Sequence, residues 1–345
     1  MKTKFLLLLA ALSMASLTLY ACGGSSSSSG TTSGSAVAAR GTITALGSIF
    51  VNGVEYQITG AKKSDNKGSD SVSDLAEAAF RPGMVVNIKG SISDDVNHKG
   101  TASEVELEDN LEGPVDVTPA NGATQFQALG QTVALNTTAA DIASGKTRLS
   151  GFGNFSTAAQ IVPQLGTQLP AGSRIEVSGF TDANGVVRAT FIQKESAPPL
   201  LATDKLELKG TITAVGPAAN TISINALTVN TAGATLHDIA SGGLTVGTFV
   251  EVKGIGSGYT AGASPTLAAT KIEANQEDAK GVEGDKLEFE GFVSLFTGAN
   301  TFKVSGQSIN AGNLSLAGLA NGKHVEVEGT LTGGVLFASK IAIKP

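Results

Sequence analysis

Gly83-MVVNIK-Gly90, Gly172-SRIEVS-Gly179, Gly247-TFVEVK-Gly254 and Gly322-KHVEVE-Gly329 are four copies of one phrase. Each sets a glycine, two variable positions, Val or Ile, a polar residue, Val or Ile, a variable position and a second glycine. Apolar and polar side chains alternate between the glycines, so each copy reads as a half-buried strand lying between two backbone turns. A phrase that returns four times makes the chain a tandem array of one small β domain.

The rest of the unit assembles around that strand. Upstream stands a Gly-x-Val/Ile start: Gly41-Thr42-Ile43, Gly113-Pro114-Val115, Gly210-Thr211-Ile212 and Gly291-Phe292-Val293. A long charged side chain precedes each start, namely Arg40, Glu112, Lys209 and Glu290. A hairpin follows. Its first arm carries Ile49 and Val51, Phe126 and Ala128, Ile222 and Ile224, or Phe302 and Val304; its second arm places Tyr56, Val133, Val229 or Ile309 three residues past the turn. In the first copy the turn is Asn52-Gly53, a pair that accepts the positive φ angles of a type I′ turn. After the signature strand a last strand repeats Ala-Ser/Thr-x-Val/Ile, beginning at Ala102, Ala189, Ala269 and Ala338. The longer connection between the third and fourth strands is able to form a helical turn, as in Ser73-DLAEAA-Phe80 with Ser73 as N-cap. Copies two and three share Asp-Ile-Ala-Ser-Gly there, at 141–145 and 238–242.

Three strands, a helical connection and two more strands is the chain order of an OB-type barrel. The expected fold class is all-β, a tandem array of four small five-stranded OB-like barrels; a solenoid of open meanders is the rival, with repeats that are usually shorter. The expected boundaries are a signal peptide at 1–21, a Gly/Ser-rich linker at 22–39, and β repeats at 40–110, 111–196, 205–276 and 286–345.

The first segment gives the expected address. Lys2 and Lys4 precede an apolar stretch from Phe5 to Leu19, which is short for a membrane span and flanked like a signal peptide. Leu19-Tyr20-Ala21-Cys22 resembles the lipobox of bacterial lipoproteins, which implies that Cys22 carries the lipid; Tyr20 is an unusual occupant. Cys22 is the single cysteine, so the chain makes no internal disulfide and no Cys-based metal site. Residues 23–35 are almost entirely Gly, Ser and Thr, a solvated tether. Gly23, where a retention signal would place Asp, points to the outer membrane. Without Lys2 and Lys4 the chain holds 22 basic against 30 acidic residues, a balance that repels phosphate backbones and excludes nucleic acid as the expected partner.

The Gly-x-Ile-x-Ala start, the Val-Asn-Gly hairpin, the Gly-x-x-Val-x-Val-x-Gly strand and the Ala-Ser/Thr-x-Val ending resemble the bacterial repeat known as domain of unknown function family 5666, often found in exported lipoproteins. The resemblance runs from Arg40 to Pro345 and is clearest in copies one and three. Copy two departs by an insertion around Phe152 to Leu169, and copy four by a shortened connection before Gly322. The resemblance implies a fold and an exported address, and no catalytic residues.

The residues themselves point away from catalysis. His98, His237 and His324 fall in three different copies without metal-ligand spacing. His324 takes the slot of Phe249 in copy three and reads as a half-exposed strand residue, and His237 as part of a turn. Gly254-IGSG-Tyr259 fails the dinucleotide pattern because Tyr stands in the place of the third glycine. Asp94-Asp95-Val96-Asn97 and Asp182-Ala183-Asn184-Gly185 hold oxygen ligands, yet a calcium site needs more of them and these residues are the ordinary vocabulary of turns. Lys62, Lys63 and Lys67 read as a solvated loop. Glu104, Glu106 and Glu108 share one strand face and read as its solvent side. No catalytic, metal or cofactor site is expected, and Cys22 is the one site residue.

The expected function is that of a non-enzymatic cell-envelope lipoprotein, attached to the membrane through its lipid, that binds or scaffolds an envelope protein or surface polysaccharide. The alternative is an OB-type receptor for oligosaccharide, which would expose aromatic rings such as Phe50, Phe152, Phe155 and Tyr259 together. A third possibility, an enzyme with paired carboxylates, has only the Glu104, Glu106 and Glu108 face in its favour.

Overall fold

A computed structural model describes residues 35–65, 75–94, 96–137, 147–216, 220–239, 243–274 and 283–344. The expected signal peptide, Cys22 and Ser73 lie outside the described residues. So do Asp95, Lys67 and the 141–145 phrase. Among the described residues no helix is long and apolar enough to cross a membrane.

The fold is all-β, with curled sheets. In copy one the five expected strands are Ser35–Thr42, Ile49–Val51, Val54–Gln57, Val85–Asp94 and Lys99–Glu108. In copy two they are Leu111–Pro114, Gln125–Ala128, Gln131–Leu135, Arg174–Thr181 and Val187–Ser196. Copy three uses Lys205–Thr211, continued by Ala214–Val215, then Thr221–Ile224, Leu227–Asn230, Phe249–Thr260 and Thr266–Ala274. Copy four uses Lys286–Ser294, Thr301–Val304, Gln307–Asn310, His324–Thr332 and Val335–Ile343. The first strand begins at Ser35, so the expected linker to residue 39 ends earlier: Ala36-Val37-Ala38-Ala39 is apolar enough to enter the sheet, and Val37, Ala38 and Ala39 are buried.

One pairing pattern recurs. The fourth strand lies antiparallel between the first and the fifth, the third runs parallel to the fifth, and the second and third form the hairpin. In copy four the first strand also pairs with the second, Val293 beside Val304, so the pairings close on themselves. The hairpin arms face inward as their alternation requires. Ile49, Val51, Tyr56, Val133, Ile222, Ile224, Val229, Val304 and Ile309 are all at most 2% exposed.

The copies are not separate beads. Copies one and four share one sheet, with Val37–Arg40 parallel to Lys286–Phe289; copies two and three share the other, with Glu207 and Leu208 antiparallel to Glu112 and Leu111. First strands are the seams in both cases.

The glycines of the signature phrase do two different jobs. The first one turns the chain with positive φ, at +99° in Gly83 and +79° in Gly322. The second was expected to be a turn and is instead a bulge within a longer strand. The register of the fourth and fifth strands shifts at Gly90, Gly179, Gly254 and Gly329, and a Cβ on Gly90 would stand 2.2 Å from the Thr101 carbonyl oxygen. The start glycine has its own reason. A Cβ on Gly41 would stand 2.2 Å from Asn52 Oδ1, and one on Gly291 2.3 Å from Ser305 Oγ, because the hairpin turn folds back onto the first strand.

The connection between the third and fourth strands holds more than a helical turn. In copy one it yields the short strand Lys62–Asp65 and then a single 3-10 turn, Glu77–Ala79. Copies two and three have matching short strands, Arg148–Ser150 and Thr235–His237, and all three run parallel to the fifth strand of their copy. The Lys62-Lys63 pair is therefore strand rather than loop, with Lys62 bonded to Glu104 at 3.2 Å. The copy-two insertion forms the short helices Ala158–Ile161 and Leu165–Gln168, and it packs Phe152, Ala158, Ile161, Leu165 and Leu169 into the core shared by copies two and three.

Candidate functional site

The charged residue that precedes each start glycine sits at a seam. Arg40, Glu112, Lys209 and Glu290 are 3–8% exposed, which is unusual for such side chains and demands partners. In copy three, Lys209 Nζ lies 3.5 Å from Glu108 Oε2 of copy one and 3.9 Å from Glu207 Oε1 of its own copy, and Lys253 Nζ lies 3.7 Å from Glu207 Oε2. Arg174 pairs with Glu112. Burial works against the Lys209 ammonium, but Glu108, Glu207, Glu251 and Asp109 outweigh it and raise its pKa. Glu251 is 1% exposed, and burial, followed by the neighbouring Glu207, pushes its carboxyl up to about 8.

Copies one, two and four meet around Glu290. Its Oε2 accepts the Thr42 amide at 3.1 Å, and its Oε1 lies 3.2 Å from His324 Nε2. His324 stacks on Phe292 at 4.8 Å between ring centroids, and the Arg40 guanidinium lies over the Phe180 and Phe289 rings. Burial raises the Glu290 carboxyl, and His324, the Thr42 amide and Lys344 more than offset it, leaving it below the usual carboxylate range. His324, expected half-exposed, is 5% exposed because copies two and four close over it.

On the same seam the surface opens into a groove of about 300 Å³ between copies one and four. One wall is the Asn52-Gly53 turn with Val54, Ile92 and His98; the other holds Glu288, Glu328 and Lys340. Asn52 has φ +51° and Gly53 +82°, as the type I′ reading expects, and Asn52 Nδ2 donates to the Arg40 carbonyl at 3.2 Å and to the Glu288 carbonyl across the seam at 3.5 Å. Lys340 donates to Glu328, which raises its pKa against its own burial. The groove thus offers two carboxylates, an ammonium and an imidazole. These are groups for hydrogen bonding and charge pairing with a polar ligand or loop.

A family model described as domain of unknown function (DUF5666) matches residues 112–193, 209–273 and 290–342, together more than half of the chain. The chain belongs to this family. Each DUF5666 match opens on a seam residue: Glu112, Lys209 or Glu290. Copy one, read from the sequence as one of the two clearest copies, falls outside the matched DUF5666 segments. The chain matches no curated protein.

The remaining expected residues scatter over the DUF5666 array. Phe152 is 3% exposed, while Phe155 and Tyr259 pack against the same core, so these rings form no exposed platform with Phe50. The Tyr259 hydroxyl donates to Asp116 across the seam between copies two and three. Asp94 closes its hairpin by accepting the Val96 and Asn97 amides, and Asp182 accepts the Asn184 and Val186 amides and pairs with Arg188 at 2.9 Å. Both carboxylates are therefore occupied by turn geometry. Glu104 reaches Lys62 and Lys89, and Glu108 reaches Lys209, so this face is half-buried rather than a solvent side. The sequence showed the four seam charges as a repeated feature, but their burial depends on which copies meet.

Proposed function

We propose that this chain is a non-enzymatic lipoprotein of the cell envelope that serves as a binding or scaffold module built from tandem OB-like barrels. The barrel reading rests on the pairing order first, second, third, fifth, fourth and back to first, which is the OB circuit. The observation that carries the binding role is the groove that copies one and four form together, whose walls are turns and charged strand residues from different copies. Loops set on a rigid scaffold are the usual place for recognition. The anchor is Cys22; the lipobox-like residues before it support export, and Gly23 after it supports the outer membrane.

The test is a pull-down from envelope extract with protein beginning at Ser33, run beside the Glu288→Ala/Glu328→Ala double variant. Recovery of one partner that the variant loses supports the module. Retention by purified surface polysaccharide alone favours the receptor for oligosaccharide, and recovery of neither sinks the binding role. Acylation of Cys22 is read by mass spectrometry of the membrane-bound protein, with Cys22→Ser expected to release it.

A further inference from the structure

Copies one, two and three each lay a short strand beside the fifth strand at one register. Lys62 pairs with Glu104, Arg148 with Phe191 and Thr235 with Lys271, and the next residue of each pairs with Val105, Ile192 or Ile272. By their distance from Ala102, Ala189, Ala269 and Ala338, the equivalent residues of copy four are Lys340 and Ile341. Among the described residues no strand pairs with this edge. The third strand covers Val335–Phe337 only, and the pairing of Ala338–Ile343 is to the fourth strand on the other side. The shortened connection turns at Leu314 and Leu319 and brings Gly318 near Ile343 without forming a ladder. The inward side chain records the missing cover. Val105, Ile192 and Ile272 are fully buried, whereas Ile341 is partly open and Ile343 is 41% exposed.

We propose that this edge takes up an extended peptide of a partner protein, parallel to Lys340–Ile343, with an acidic residue opposite Lys340 and an aliphatic one opposite Ile341. An open edge offers a row of backbone donors and acceptors, and a peptide strand satisfies them. The three internal strands show what the slot accepts. The second position holds Leu149 in copy two, opposite Ile192 and 8% exposed, and Leu236 in copy three, opposite Ile272, whereas copy one places Lys63 there; an aliphatic residue is thus the choice of two of the three strands. At the first position copies two and three face Phe191 and Lys271 with Arg148 and Thr235, and copy one, the copy whose strand partner there is an acid, answers Glu104 with Lys62 at 3.2 Å, the opposite charge. At Lys340 that charge is negative. Its ammonium has three donors, of which Glu328 engages one, and its side chain is 58% exposed.

The inference rests on the binding-module reading and names its partner class. The probes are two eight-residue peptides added to the full chain: one with the sequence of residues 145–152, and the same peptide carrying Arg148→Asp. The Asp peptide is expected to slow amide hydrogen exchange at residues 340–343 by about tenfold, and to bind about fivefold more tightly than the Arg peptide, the worth of one exposed ion pair. Lys340→Glu, with its fold checked by circular dichroism, is expected to reverse that preference. Three results overturn the proposal: no protection by either peptide, protection without a charge preference, or concentration-dependent protection of the chain alone, which would give the edge to a second copy. A pull-down partner that stays bound to Lys340→Glu also overturns strand addition, while leaving the module reading standing.

Discussion

His324 Nε2 lies 3.2 Å from Glu290 Oε1, inside a cluster that Phe180 of copy two and Phe292 of copy four enclose. A buried carboxylate is tolerated only where such partners hold it. His324→Ala removes one partner and leaves a cavity beside Phe292, so it is expected to destabilise the chain by about 2–4 kcal/mol. His324→Phe, which restores the residue type found in the same slot of copy three, fills the cavity but not the charge and should fall between wild type and alanine. Urea midpoints of the three proteins check the order.

Glu251 makes the opposite contribution. Its folded carboxyl titrates near 8, above its value in the unfolded chain, so the folded state holds more protons between about pH 4.5 and 8. Stability is therefore expected to fall as pH rises through that window and to level off above it. Glu251→Gln removes the titration while keeping an amide that donates toward Glu207. The variant should gain on wild type as pH is raised from 5 to 8.5, which urea midpoints at both values would read; equal spacing at the two pH values refutes the assignment.

Glu290, held below the usual carboxylate range, adds stability above its unfolded pKa that is lost on acidification through its folded pKa. Glu290→Gln should therefore cost more at pH 7 than at pH 3, as thermal unfolding at the two pH values will show.

The two glycines of the signature phrase should respond differently to alanine. At Gly329 a Cβ meets the Phe337 carbonyl oxygen at 2.3 Å, a clash with backbone that cannot move aside, and the expected cost is about 2–3 kcal/mol. At Gly322 the space is open and only the φ of +79° is strained, for which about 1 kcal/mol is expected. Calorimetric melting of the two variants gives the comparison.

The copy-two insertion behaves as core. Leu165 is fully buried among residues of copies two and three, so Leu165→Ala is expected to cost about 2–4 kcal/mol and to lower the melting temperature of the array. A loss below half a kcal/mol would make the insertion a surface ornament.

Much of the unit was legible because its signals are local. Alternation placed Val86 and Ile88 of copy one, Ile175 and Val177 of copy two, and the hairpin arms on the core face, and each of these side chains is buried. Asn52-Gly53 announced its turn by chemistry alone. The second glycine was misread because a bulge and a turn ask for the same residue, and only the facing carbonyl of the fifth strand distinguishes them. The Arg148–Ser150 and Thr235–His237 strands were missed because three residues are too few to show a period, and they exist only by pairing with a distant strand.

The repetition of one β unit along the chain and the inward face of its signature strand follow from the amino-acid sequence by itself, since neighbouring residues and a period of two suffice to set them. Tertiary structure alone decided that copy one joins copy four while copy two joins copy three. It thereby decided that Arg40, Glu112, Lys209 and Glu290 are buried at seams, that a groove opens beside Glu288 and Lys340, and that among the described residues the copy-four edge carries no strand like that of its siblings. The physical reason is range: a seam charge reads as an ordinary surface residue until the partner that desolvates it arrives, and for Arg40 and Glu290 that partner comes from 250 residues away.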